Sequence, residues 1–65
     1  MIKLEEYFNK RVRIVDIDNK EFRGYVETYT PAIDSDEELE EIAILDKSND
    51  LIGFNEEEIK LIEII

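Results

Sequence analysis

The pattern of apolar and polar positions changes period along the chain. Leu4, Tyr7 and Phe8 recur at i, i+3 and i+4, with Glu5 and Glu6 where acids suit a helix start, which predicts a short N-terminal α-helix over about residues 2–9. From Arg11 the period becomes two. Val12 and Ile14 share one face and Arg11 and Arg13 the other, predicting a half-buried strand over about 11–17. Asp18-Asn19-Lys20 supplies turn chemistry, because Asp and Asn bond their own backbone and Asn tolerates the left-handed region. A second strand follows over about 21–30, with Phe22, Gly24, Val26 and Thr28 on the inner face and Arg23, Tyr25, Glu27 and Tyr29 on the outer. A hairpin loop centred on Asp18–Lys20 would pair Val12 with Val26, Ile14 with Gly24, Arg13 with Tyr25 and Arg11 with Glu27.

Pro31 ends this strand or lies on an edge, since it has no N–H to give a ladder. An acidic loop is expected over about 31–39, then strands over about 40–45, 51–54 and 59–65. Lys47–Asp50 forms the turn between the first two of these, and Asn55 caps a single 3₁₀ turn before the last. In that last strand Ile62 and Ile64 are expected to fill the core, leaving Leu61 and Ile65 on the opposite face. One short helix and five short strands in a single domain, 1–65, predict a mainly β fold. The economical form is a strongly bent, antiparallel five-stranded small barrel of SH3-like size, bent where Gly24 interrupts the second strand.

The chain is 43% hydrophobic and 40% charged, enough apolar content for a core despite its net charge of −10. Its longest apolar run, Ile42 to Leu45, is far too short to span a bilayer, and Met1–Glu6 leads into no apolar signal segment, so a soluble cytoplasmic protein is expected. Cys and His are absent, which removes disulfides, the usual zinc ligands and the commonest nucleophile–base pairs. Ser35 and Ser48 sit in polar turns without a base, so an enzyme is not expected, nor a cofactor.

Six acids fall in the eight positions from Asp34 to Glu41. Asp34, Asp36 and Glu38 match positions 1, 3 and 5 of a calcium loop, but Leu39 replaces the turn glycine and Leu45 the final bidentate glutamate. A solvated connecting loop is expected, with no metal.

Charge is unevenly spread. Lys3, Lys10, Arg11, Arg13, Lys20 and Arg23 lie in residues 1–24 with Glu5, Glu6, Asp16, Asp18 and Glu21, whereas only Lys47 and Lys60 are basic beyond. The outward set Arg11, Arg13, Arg23, Tyr25 and Tyr29 has the composition of a single-strand RNA platform, in which rings stack bases and cations meet phosphates. Glu21 and Glu27 dilute it, and an acidic protein is a poor nucleic-acid binder.

The run from Val12 to Val26, with its turn and mid-strand Gly24, resembles the first motif of the Sm-like (Sm and Lsm) family. Ile52-Gly53 with Ile59 and Ile62 resembles the second. The likeness covers nearly the whole chain and is closest to short, acidic bacterial relatives in that family. It implies an Sm-like barrel, structural places for Gly24 and Gly53, and self-association along the last strand's edge, as in Sm rings. The family's RNA-binding members carry an Asn after the second strand and Arg- or Lys-Gly in the second motif. Here no Asn stands between Asn19 and Asn49, Ile52 precedes Gly53, and Asp16 takes the apolar place ending the first strand.

The resemblance thus implies the fold rather than the RNA site. The expected function is a non-catalytic binding module with a protein partner, or one that self-associates. The alternatives are an Sm-like RNA-binding protein using the basic and aromatic face, and an acidic mimic of nucleic acid.

Overall fold

A computed structural model describes residues 3–34 and 38–65. A 3₁₀ turn, Leu4–Tyr7, precedes β1 (Arg11–Asp16) and β2 (Glu21–Thr30). A second 3₁₀ turn, Ala32–Asp34, follows, then β3 (Glu41–Leu45), β4 (Leu51–Asn55) and β5 (Ile59–Ile64). All five strands belong to one antiparallel sheet in the order β4-β3-β2-β1-β5. The strand limits agree with the sequence pattern to within a residue, and those of β2 at both ends. Of the acidic loop, Ser35–Glu37 lie outside the described residues.

β4 and β5 are the two edges of the sheet, yet only Glu56–Glu58 join them. In a flat sheet these edges would stand about 19 Å apart, four spacings of about 4.8 Å. The link from Asn55 to Ile59 reaches about 14 Å at most. The sheet therefore curls until the ends of its two edges come together at this corner, where Glu56 N–H donates to Glu40 O (2.9 Å), prolonging the β3–β4 pairing, and Ile17 N–H to Glu58 O (3.1 Å), prolonging that of β1 with β5. Along their lengths β4 and β5 do not pair, so the sheet is strongly bent but not closed into the barrel expected from the sequence. Asn55 caps the corner: its side-chain oxygen accepts from Glu57 and Glu58 N–H, and the Glu58 carboxylate accepts from Asn55 N–H.

The two hairpin loops share one construction. In Asp16-Ile17-Asp18-Asn19-Lys20 and Asp46-Lys47-Ser48-Asn49-Asp50, the aspartate carboxylate accepts two backbone N–H groups, from the residues two and four positions on. Asn19 and Asn49 take positive φ, 65° and 64°, as a three-residue hairpin loop requires of its last position. The first loop is therefore Ile17–Asn19, one residue earlier than expected. This moves the pairing by two: Arg11 faces Tyr25, Val12 faces Gly24, Arg13 faces Arg23 and Ile14 faces Phe22. A shift of two leaves every side chain on its predicted face.

Two bulges do change faces. Val26 pairs with Ile44 and Thr28 with Ala43, so Glu27 is an extra residue; beyond it Tyr29, opposite the buried Ile42, packs against the core rather than facing outward. In β5, Val15 pairs with Leu61 but Asp16 with Ile59, making Lys60 the extra residue. Ile59 is thereby buried and Ile62 packs beside it, whereas Ile64, expected in the core, is 55% exposed at the uncovered end of β5.

Among the described residues the core comprises Leu4, Val12, Ile14, Val26, Ile42, Ile44, Phe54 and Ile59, with no buried polar residue. Phe22 and Phe54 meet edge to face, 5.2 Å between centroids. The N-terminal element is a 3₁₀ turn instead of the α-helix over 2–9, of which Ile2 lies outside the described residues. A segment this short cannot offset helix nucleation. Asn9, at φ 63°, turns the chain and donates its N–H to Val26 O, so docking of Leu4 and Tyr7 decides the conformation.

A Cβ at Gly24 would lie 2.6 Å from Leu45 O and 3.3 Å from Ile44 Cβ. The close neighbour is the backbone of β3, not Ile14 across the first hairpin. A Cβ at Gly53 would meet only Ile42 O, at 4.0 Å, an ordinary contact.

Candidate functional site

The outer face of the β1–β2 hairpin holds four of the five residues expected to form a platform: Arg11, Arg13, Arg23 and Tyr25. Tyr29 is separated from them by the Glu27 bulge and by its inward turn. Arg13 and Arg23 stand directly opposite each other, and Glu21 lies between their charges, 3.3 Å from Arg13 Nε and 2.8 Å from Arg23 Nε. Glu63, brought alongside by β5, accepts a second contact from Arg13 at 3.1 Å. Two of the three expected phosphate-binding cations are therefore already paired with carboxylates. Arg11 makes no ion pair with a described residue.

The tyrosines are likewise engaged. Tyr25 donates its hydroxyl to Asn9 Oδ1 (2.9 Å) and, opposite Arg11, the residue stays 36% exposed. Tyr29 donates to Glu40 Oε1 (3.0 Å). Burial, reinforced by this bond to a carboxylate, raises the Tyr29 hydroxyl above its ordinary value. The neutral phenol is thus held by the fold, a contribution present below the ordinary tyrosine value and lost as pH rises through the raised one.

The hydrogen bond from Arg23, helped by the charges of Arg13 and Arg23, holds Glu21 below the usual carboxylate value. A depressed value adds stability above the ordinary carboxylate range and loses it as pH falls through the folded-state value. Glu21→Gln should therefore melt below wild type near neutral pH, with the difference narrowing as acid protonates Glu21. Paired thermal melts across the acid range check this, and a gap independent of pH would show that the carboxylate charge is not what matters.

Beside this face lies a cleft of about 420 Å³ between the first half of β2 and the β3–β4 turn. Arg11, Arg23 and Lys47 supply its cations, and Phe22 and Ile52 its half-buried apolar floor. Lys47, like Arg11, makes no ion pair with a described residue. The acids on the cleft wall are committed: Glu21 to two arginines, and Asp46 to the N–H groups of Ser48 and Asp50. Sequence reading placed Lys47, Phe22 and Ile52 in a turn, a strand face and a motif, but assigned them no part in a site. The only signal for Lys47 was its place in a loop built like the first one.

No family model, curated protein or solved structure matches the chain. The site thus rests on geometry alone. Among the described residues no acids cluster as a metal site would need, and no helix is long and apolar enough to cross a membrane. Asp36 of the nominal calcium loop lies outside the described residues.

Proposed function

We infer that the chain is a non-catalytic, cytoplasmic interaction module of the Sm-like small-barrel type, and that it binds protein rather than RNA. The observation that carries the reading is the edge of β5. One side of this strand pairs with β1 and the other has no strand partner among the described residues, while Leu61 and Ile64 along it and Ile65 just beyond it are 41%, 55% and 55% exposed. A free backbone edge flanked by apolar side chains is suited to strand addition by another chain, including a second copy. The three-residue link between opposite sheet edges supports the small-barrel reading. A second reading, single-stranded RNA binding, keeps only Arg11 and the exposed Tyr25 in its favour, since Arg13 and Arg23 are neutralised.

Sedimentation of the pure protein, alone and with a mixed RNA pool at low salt, separates the two. The expected result is a profile that RNA leaves unchanged, with any self-association reduced by Ile64→Lys on the free edge. A discrete RNA-bound species that disappears in Arg11→Glu would overturn the protein reading in favour of RNA.

A further inference from the structure

A second free strand edge lies inside the molecule's cleft. β3 pairs with β2 only from Tyr25 onward, where Leu45 ends β3, whereas β1 pairs with β2 back to Glu21. Among the described residues, Glu21–Gly24 are therefore paired on one side only. The direction of their backbone groups follows from the ladder. Asp16 N–H donates to Lys20 O and Val26 N–H to Lys10 O, both at 2.9 Å, so the even-numbered residues of β2 bond to β1. In an antiparallel ladder this alternates, and Glu21 and Arg23 turn their N–H and C=O away from β1, to the side where β3 has already ended. No backbone hydrogen bond joins either residue to the β3–β4 turn among the described residues.

We propose that this cleft takes an extended acidic peptide, which adds as a short strand to the Glu21–Gly24 edge of β2. Pairing with Glu21 and Arg23 would give the incoming backbone its hydrogen bonds, and the alternation of a strand sorts its side chains to two faces. One face meets Phe22 and Ile52, the other meets Arg11, Arg23 and Lys47. The segment that fits therefore alternates apolar and acidic residues. Acidity is demanded because Arg11 and Lys47 make no ion pair with a described residue while the cleft's own carboxylates, Glu21 and Asp46, are occupied. The size of the cleft, about 420 Å³, falls within the range of ligand pockets. This site does not depend on the β5 edge, and either can fail without the other.

The test is a titration of the intact protein with a capped heptapeptide alternating glutamate and isoleucine, followed residue by residue through amide hydrogen exchange. At peptide concentrations ten times the dissociation constant, the Glu21 and Arg23 amides should exchange about tenfold more slowly. The same peptide with lysine for glutamate should not protect them, and salt should weaken the acidic one. Lys47→Glu, in an exposed turn where folding is not at risk, should reduce the protection, and Arg11→Glu should do the same. Absence of saturable binding would overturn the proposal, as would binding that leaves these two amides unprotected or equal binding of the lysine peptide.

Discussion

Gly24→Val should lower the midpoint of urea unfolding although valine is the better strand former, and Gly24→Ala should already do most of the damage. Glycine inside a regular element ordinarily costs about 0.5–1 kcal/mol relative to alanine, so on propensity alone both changes should stabilise. The geometry reverses the sign. The first added carbon falls 2.6 Å from Leu45 O and 3.3 Å from Ile44 Cβ, and the nearer atom is backbone that cannot rotate away. Relief requires β2 and β3 to separate where their pairing begins, and overpacking of this kind costs about 1–3 kcal/mol. Gly53→Ala is the control, because its new carbon meets only Ile42 O at 4.0 Å and should leave the midpoint unchanged or slightly higher. If Gly24→Ala melts at or above the wild-type midpoint, the close approach of the two strands is not what demands glycine at this position.

Leu4→Ala is the second large effect. Leu4 belongs to a four-residue 3₁₀ turn with no side-chain cap, yet its side chain is fully buried among Val12, Ile14, Val26 and the rest of the core. Truncating a buried leucine costs about 2–5 kcal/mol. A chain of this length has total stability of only about 3–10 kcal/mol, so much of it depends on one residue near the N-terminus. Thermal melts followed by circular dichroism should show a large fall for Leu4→Ala and almost none for the exposed neighbour Glu5→Ala. A fall of less than about 2 °C for Leu4→Ala would mean that the turn lies on the sheet without closing its core.

Much of the molecule could be read from local pattern. Local pattern gave β2 its two ends, the apolar residues of β1 and of β2 as far as Val26 their faces, and Asn55 its cap, because each depends on residues close in the chain. The candidate site was legible only as composition. That Arg11, Arg13, Arg23 and Tyr25 share a face follows from period two. That Arg13 is neutralised by a carboxylate fifty positions away does not, since it depends on β5 lying beside β1.

By itself the sequence determined the strand content, the two asparagine-closed turns and the inward faces of the first hairpin. Propensity, period and turn chemistry act over a few residues and need no partner. The tertiary structure alone decided the hairpin register, because a shift of two residues leaves the apolar pattern intact. It also decided the bulges at Glu27 and Lys60, which turn Tyr29 and Ile59 inward, and left Ile64 exposed because no described residue covers the end of β5. The unpaired edge at Glu21–Gly24 is of the same kind. It exists because β3 ends at Leu45 while β1 runs further along β2, a mismatch of strand lengths that appears only when the strands lie side by side.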